Sequence, residues 1–217
     1  MRLLIKRLFF IFTGLVLLSV AISPTQAEPS FNGQALNLQT LQEAKQLFLE
    51  GNRTQNDTLV QQAKEKLSLW LKDNEHTADR KIVAETLRSR ASISLALGEI
   101  PETLNDYKRS IQHDPIAEVQ FGICLLEKSL AATPQKLQAC YQKTVQFFAD
   151  KQTVKNNPNY LIARILSGDH SAIAEYKKLI ESTEDIEQLA RYQQMTERYL
   201  DQATCQQILT TCEATNP

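Results

Sequence analysis

A five-residue motif that recurs at nearly constant intervals constrains this chain more than any other feature of its sequence. The motif starts with tyrosine, carries a basic residue at its third position and ends with a β-branched aliphatic residue. It occurs at Tyr107–Ile111, Tyr141–Val145 and Tyr176–Ile180, so 34 and then 35 residues separate successive tyrosines. Self-similarity at such an interval is typical of a supersecondary unit that is repeated along the chain.

Small residues upstream of each motif keep a similar interval. Gly98, Ala132 and Gly168 lie 34 and 36 residues apart, and each is expected to form the turn at the end of the preceding helix. The repeated unit is therefore predicted to be a helix, a tight turn and a second helix that carries the tyrosine.

Amphipathic helices are also indicated before the first motif, where apolar residues recur three and four positions apart. The residues with this spacing are Leu38, Leu41, Ala44, Leu47 and Phe48, followed by Leu59, Ala63, Leu67, Trp70 and Leu71. They predict a helical hairpin whose first helix ends at Gly51. Since no comparable stretch alternates apolar and polar residues as a half-buried strand would, the chain is expected to be all-α.

The unit with the clearest pattern runs from Ala91 to Pro115 and contains the segment GEIPETLNDYKRSIQHDP. This segment resembles the tetratricopeptide repeat (TPR) family. The resemblance implies that Ala91 and Ser110 let the two helices of a hairpin approach closely. It also implies that Gly98 takes the turn and that Tyr107 fills the space between hairpins. Pro115, which has no amide hydrogen, would stop the second helix.

Applied to the whole chain, the resemblance implies an α-solenoid of stacked antiparallel helical hairpins with a C-terminal capping helix. It predicts a single TPR-like domain over residues 37–217. The predicted hairpins cover about residues 38–72, 81–115, 118–149 and 154–182, and the capping helices cover 185–211. Ser182 or Thr183 is expected to cap the N-terminus of the first capping helix.

TPR proteins usually bind peptides in a concave groove that is lined by the first helix of each hairpin. Carried over by position, the groove residues of this chain are Arg88, Ser92, Leu95, Leu126, Ser129 and Leu130. Ser92 stands where chaperone-binding members of the family have asparagine, so capture of a chaperone C-terminus is not expected. The mixed polar and apolar lining suits an extended segment or a helix of another protein.

The first 27 residues have the composition of a secretory signal peptide. They begin with basic residues, contain no acidic residue and hold an apolar stretch that is shorter than the roughly 20 residues of a membrane span. Cleavage is expected after Ala27, with an earlier cut after Ala21 as the alternative, and residues 28–36 are expected to be a flexible lead-in. The mature protein is then predicted to be periplasmic or secreted, with no stable membrane anchor after cleavage.

Four cysteines in an exported chain are expected to form disulfides, because extracytoplasmic compartments are oxidising. They allow three pairings, and four buried free thiols are the alternative. Cys124 and Cys140 would lie opposite each other in the two helices of one hairpin, which favours a bond between them and leaves Cys205 to pair with Cys212. A continuous helix would hold the last two Cα atoms about 10.5 Å apart, so the helix must break between them, near Thr210.

Neither the charge nor the motifs of the chain indicate nucleic-acid binding or catalysis. The net charge is −1, and about −4 after the predicted cleavage, which removes three basic residues and no acidic one. Such a charge gives no positive field that would attract nucleic acid. His76, His113 and His170 are too far apart in sequence to form a paired metal-binding motif. The sequence therefore predicts no enzyme activity, no metal and no cofactor.

These observations lead to hypotheses of different classes. The first is an exported, non-enzymatic helical-repeat protein that mediates protein–protein interaction in the cell envelope or periplasm. Its partner would be another exported or envelope protein or peptide. The alternative is an inhibitor or immunity protein that binds and blocks an exported toxin or cell-wall hydrolase. A third hypothesis is an enzyme whose site residues are scattered along the sequence.

Overall fold

The computed structural model describes residues 31–149, 154, 156–209 and 212, and for residues 31–37 it describes the backbone alone. Every regular element in these residues is an α-helix, which confirms the all-α class for this part of the chain. The predicted signal peptide lies outside the described residues. None of the described helices is both long enough and apolar enough to cross a membrane.

Ten helices follow one another through the described residues. They are α1 (Phe31–Thr54), α2 (Asp57–Asn74), α3 (Arg80–Ala96), α4 (Ile100–His113), α5 (Ala117–Ser129), α6 (Pro134–Ala149), α7 (Pro158–Leu166), α8 (Ser171–Glu181), α9 (Ile186–Tyr199) and α10 (Gln202–Ile208). The sequence pattern predicts a single domain over residues 37–217. The helices cluster as two compact units, α1–α4 up to Asp114 and α5–α10 from Pro115 onward.

Two helical hairpins pack on each other in the first unit. α1 packs against α2, α3 packs against α4, and α2 also packs against α3. One apolar cluster joins Leu41 and Leu67 of the first hairpin to Ile93 of α3. A second cluster joins Trp70 of α2 to Leu87 of α3. The interior of this unit is therefore made by both hairpins together.

The first hairpin turns at Gln55 and Asn56 rather than at Gly51. α1 continues through Gly51 to Thr54, and Gln55 has a left-handed backbone with a φ of 55°. A Cβ atom on Gly51 would lie 2.8 Å from Cγ2 of Val60 and 3.0 Å from its backbone nitrogen. The glycine is therefore needed where α1 and α2 approach each other closely, and the prediction that it ends the helix is wrong.

The flexible lead-in predicted for residues 28–36 is wrong from Phe31 onward, because residues 31–36 are the first turns of α1. Leu41 and Ala44 anchor α1 in the core of the unit. Once a helix is nucleated in this way, each residue added at its end gains a hydrogen bond, so extension costs little. Residues 28–30 lie outside the described part of the chain.

The second unit has one continuous apolar core. α5 packs against α6, α6 against α7, and α7 against α8. The two last helices cover this arrangement, because α9 contacts α7 and α8 while α10 contacts α8 and α9. Phe121, Tyr141, Tyr176 and Tyr192 all belong to the shared core cluster.

The N-terminal cap of α9 differs from the prediction. Asp185 caps this helix, and its carboxylate accepts a hydrogen bond from the amide of Gln188 at 2.8 Å. The predicted Ser182 follows the last residue of α8, and its hydroxyl donates to the carbonyl oxygen of Leu179. Thr183 donates to the same carbonyl oxygen. Both hydroxyls are thus used at the end of α8, and the carboxylate takes the cap of α9.

Three of the hairpins close through the same turn. In each, one residue has a left-handed backbone: Gly98 with a φ of 80°, Ala131 with 57° and Gly168 with 99°. The amide of this residue donates to the carbonyl oxygen three residues before it, and the next amide donates to the carbonyl oxygen five residues before it. This pair of bonds is the Schellman motif, which satisfies carbonyl groups at the end of a helix. The turn residue of the second unit's first hairpin is therefore Ala131, one position before the predicted Ala132, because α5 ends at Ser129.

The three repeated tyrosines are all buried in the second helix of a hairpin. Tyr107 and Tyr141 are the eighth residues of α4 and α6, and Tyr176 is the sixth residue of α8. Ala91 and Ser110, which were expected to allow a close approach of α3 and α4, are fully buried. Tyr107 and Tyr141 thus share a place in the helix, and all three tyrosines share an interior environment.

Both predicted cysteine pairs are at bonding distance. The Cα atoms of Cys124 in α5 and Cys140 in α6 are 5.7 Å apart, and those of Cys205 and Cys212 are 6.1 Å apart. Both distances fall in the range of disulfides. α10 ends at Ile208, so the helix stops between the last two cysteines, slightly before the predicted break.

Replacing Ala131 with glycine is expected to raise the free energy of unfolding by about 0.5–1 kcal/mol. A left-handed backbone costs a residue with a Cβ atom about 1–2 kcal/mol, and the larger conformational entropy of unfolded glycine offsets part of that gain. Urea unfolding of the oxidised protein measures the change. The matched control is Ala132→Gly, which should be neutral or destabilising because Ala132 is not left-handed. Equal effects of the two substitutions would contradict the assigned turn.

Candidate functional site

A buried ion pair joins the two helices of the second hairpin in the first unit. Arg90 of α3 donates from Nε to Oδ2 of Asp106 at 2.7 Å and from Nη2 to Oδ1 at 2.7 Å. The side chain of Asp106 is only 4% exposed. Arg109 also donates to Asp106, at 3.4 Å, and pairs with Glu75. A buried carboxylate needs such partners because taking an unpaired charge out of water costs several kcal/mol.

The pKa of Arg90 follows from this pairing. Burial is the largest single influence and acts to lower the pKa of Arg90, but the hydrogen bonds to Asp106 and the negative charges of Asp106, Glu75 and Glu102 together raise that pKa above its usual value. Arg90 therefore stays charged at every physiological pH. The pair works as a fixed structural element at the contact of α3 with α4.

A second set of charges lies at the N-terminal end of α4. Lys64 of α2 contacts Glu99 at 2.5 Å and also pairs with Glu102. Burial acts to lower the pKa of Lys64, yet the hydrogen bonds to Glu102 and Glu99 raise it overall. The hydrogen bond from Lys64 lowers the pKa of Glu102. These ion pairs connect α2 to the start of α4.

Between these two sets of charges lies a pocket of about 510 Å³, a size within the range of known ligand sites. Three helices line it, each with residues that share one face. The lining includes Lys64 and Ser68 of α2, Arg90 and Ser94 of α3, and Glu102, Asn105 and Asp106 of α4. Pro101 of α4 completes the lining, which therefore combines polar and charged side chains with apolar surface.

Ser94 is the lining residue whose hydrogen bonding is incomplete. It is 0% exposed, and its hydroxyl oxygen has no hydrogen-bond partner. Two other helical serines of this unit donate to the carbonyl oxygen four residues earlier: Ser68 donates to Lys64 and Ser92 to Arg88. A buried hydroxyl without a partner costs about 1–3 kcal/mol.

The groove residues expected in the first unit lie on a different face of α3. Arg88 contacts Asp114 at 3.2 Å, and the Ser92 hydroxyl lies 3.4 Å from that of Tyr107. Leu95 is half-buried. Successive residues of a helix are rotated by about 100° around its axis. Arg88 and Ser92 are therefore about 200° away from the pocket residues Arg90 and Ser94, which lie two positions later.

The groove residues expected in the second unit lie around the end of α5. Leu126 is buried, and the hydroxyl of Ser129 donates to the carbonyl oxygen of Leu126 at 2.7 Å. Leu130 follows the last residue of the helix and is 49% exposed. Of these three residues, Ser129 and Leu130 are accessible to a partner.

The structure identifies the pocket where sequence reasoning does not. One signal in the sequence could have indicated it, because α2 and α3 each carry a cation followed four residues later by serine: Lys64 with Ser68, and Arg90 with Ser94. Within the described residues, no three His, Cys, Asp or Glu side chains are grouped in a way that could hold a metal ion.

Compared with protein-family models, curated proteins and solved structures, the chain matches none of them. The function proposed for it therefore rests on its own residues.

Replacing Asp106 with alanine is expected to lower the free energy of unfolding by about 3 kcal/mol, because Arg90 loses its buried carboxylate partner. Chemical denaturation followed by circular dichroism measures the loss. The control is Glu50→Gln, which removes an exposed ion pair with Arg53 in the same unit and should leave the stability unchanged. A loss at Asp106 no larger than at Glu50 would show that the pair does not hold the pocket together.

Proposed function

We propose that this protein is an exported, non-enzymatic, TPR-like helical-repeat protein that binds a polypeptide segment of another exported or envelope protein. Its contact site is the pocket that α2, α3 and α4 line. The observation that carries the proposal is this pocket, whose lining combines polar and charged side chains from three helices. Peptide segments offer many amide donors and acceptors, which match a polar lining of this kind.

Export is supported by the N-terminal segment and by the cysteines. The segment has basic residues followed by a short apolar run, as secretory signals do. The pairs Cys124–Cys140 and Cys205–Cys212 account for all four cysteines of the chain. Disulfides that persist are typical of oxidising compartments outside the cytoplasm.

A TPR-like arrangement is supported by the equivalence of the hairpins. The turns at Gly98, Ala131 and Gly168 make the same pair of hydrogen bonds. Tyr107 and Tyr141 occupy the same position of their helices. In repeat proteins, equivalent hairpins pack side by side and present extended surfaces to polypeptide partners.

Binding rather than catalysis is favoured by the chemistry of the lining. The cations Arg90 and Lys64 are held by carboxylates in ion pairs. Ser94 has no hydrogen-bonded base, and an activated nucleophile needs such a base within reach. The groups at the site are therefore arranged to hold a ligand in place.

Site-specific photocrosslinking tests the proposal. A benzophenone side chain at Asn105, an exposed residue of the pocket, is expected to form adducts with a polypeptide segment in the native cell envelope. The bait is the exported protein. Its measured mass should be that of a chain that begins at Glu28, and it should be four hydrogens below the mass of the reduced chain. The control places the same side chain at Gln193, an exposed residue of α9.

The proposal is supported if adducts form at Asn105 and not at Gln193, and if the crosslinked segment also binds as a synthetic peptide. A nanomolar complex that abolishes the activity of an enzyme would instead select the inhibitor hypothesis. Equal adducts at both positions, or none at Asn105, would overturn the assignment of the pocket as the contact site.

A further inference from the structure

The disulfide between α5 and α6 lies among polar side chains inside the apolar core of the second unit. Cys124 is 0% exposed, whereas Cys140 is half-buried and packs against the same core. The side chains of Gln120 and Thr144, both buried, lie against the sulfur atoms of this pair. Of the two cysteines, Cys140 is therefore the one with surface that a reagent can reach.

The side-chain amide of Gln120 has poor hydrogen-bond partners while the disulfide is intact. Its Nε2 lies 3.3 Å from Sγ of Cys140 and 3.7 Å from Sγ of Cys124, and its Oε1 has no partner. Sulfur is a weak acceptor, and a disulfide has no hydrogen to donate to Oε1. Since Gln120 is only 3% exposed, its unsatisfied oxygen destabilises the disulfide form.

Thr144 offers a second acceptor to the same cysteine pair. Its Oγ1 donates to the carbonyl oxygen of Cys140 at 3.2 Å and lies 3.4 Å from Sγ of Cys124. A hydroxyl group has one hydrogen, so with that hydrogen on the carbonyl its oxygen can only accept from Cys124. The disulfide sulfur has no hydrogen to offer, but a thiol has one.

Reduction of the disulfide supplies the donors that these two acceptors lack. The S–H group of Cys124 can donate to Oγ1 of Thr144. A free Cys140 side chain can rotate about its Cα–Cβ bond and turn its hydrogen towards Oε1 of Gln120, which the disulfide prevents. The polar surroundings of the pair thus suit the dithiol better than the disulfide.

We infer that the Cys124–Cys140 disulfide is a reversible redox switch that a dithiol reduces by entering at Cys140, and that Gln120 and Thr144 stabilise the reduced form. This inference concerns the second unit and goes beyond the proposed function. In an oxidising compartment the disulfide is the resting form, and a dithiol that exchanges with it is the input to the switch.

The exchange proceeds in two steps. A thiolate of the dithiol attacks Sγ of Cys140, forms a mixed disulfide and breaks the Cys124–Cys140 bond. The electron pair of that bond stays on Sγ of Cys124, which accepts a hydrogen bond from Nε2 of Gln120 and then takes up a proton. The second thiolate of the reagent attacks the reagent's own sulfur in the mixed disulfide and releases Cys140, which is also protonated. Two electrons and two protons pass to the cysteine pair, and the dithiol becomes a cyclic disulfide.

The second unit should stay folded when this bond is reduced, because other contacts also join α5 to α6. The rings of Phe121 and Tyr141 lie 6.1 Å apart across these helices, and both belong to the core cluster that contains Cys124. A buried free cysteine packs as a small apolar residue. Reduction therefore removes the covalent tie between the two helices and leaves their packing in place.

Equilibration with mixtures of reduced and oxidised dithiothreitol tests the inference. The full oxidised protein is incubated at a series of ratios, free thiols are blocked with N-ethylmaleimide, and peptide masses give the reduced fraction of each cysteine pair. Gln120→Leu should raise the ratio of reduced to oxidised reagent that half-reduces Cys124–Cys140 about three- to tenfold. Thr144→Val should raise it about threefold, because in each variant the dithiol form loses a hydrogen bond.

Two controls accompany these variants. Gln142→Leu changes an exposed residue of α6 and should leave the ratio unchanged. The Cys205–Cys212 pair is an internal reference in every sample, and its half-reduction should need the same ratio in the wild type and in all three variants. Circular dichroism at each ratio follows the helix content.

Single-cysteine variants test the point of entry. Cys140 in the Cys124→Ala variant should form a mixed disulfide with oxidised glutathione about tenfold faster, or more, than Cys124 does in the Cys140→Ala variant, because access to the sulfur limits exchange. Equal rates for the two cysteines would overturn the assignment of Cys140 as the point of entry.

The switch itself is overturned if Gln120→Leu and Thr144→Val leave the half-reduction ratio of Cys124–Cys140 unchanged or lower it. It is also overturned if the helical signal of the wild type is lost together with this disulfide, since a switch needs a folded reduced state.

Discussion

A two-helix hairpin cannot cover its own apolar face, and the rest of this structure depends on that constraint. In the first unit, α2 packs on α3, so that Trp70 and Leu87 are buried across two hairpins. The small residues Ala91 of α3 and Ser110 of α4 are fully buried in this unit. The pocket is a consequence, because the packing of one hairpin on the next brings residues of α2 together with residues of α3 and α4.

The local elements of the fold could be predicted from sequence to a large extent. Apolar spacing indicates the helices, and the intervals between small residues locate the turns at Gly98 and Gly168. The turn between α5 and α6 is predicted one residue too late. Ala131 and Ala132 are chemically identical, and only the end of α5 decides which of them has a left-handed backbone. Gly51 is misread because the same residue type serves a helix end in one context and a close helix contact in another.

The candidate site could not be predicted in the same way. Family positions point to Arg88 and Ser92, whereas the pocket uses Arg90 and Ser94 on the other side of α3. Its lining comes from three helices that are distant in sequence, and the partner of each charge depends on how they pack. The pairing of Arg90 with Asp106 and the missing partner of Ser94 are properties of the three-dimensional arrangement.

The stability of Tyr141 variants tests most directly whether the repeated tyrosines are interior residues of packed hairpins. Tyr141 is 2% exposed, its ring lies 6.1 Å from that of Phe121, and its hydroxyl has no partner. Tyr141→Ala should therefore lower the free energy of unfolding by about 3–5 kcal/mol. Tyr141→Phe, which removes only an unpaired hydroxyl, should be neutral or stabilising. A loss below about 1 kcal/mol for the alanine variant would contradict the account of hairpins packed through equivalent tyrosines.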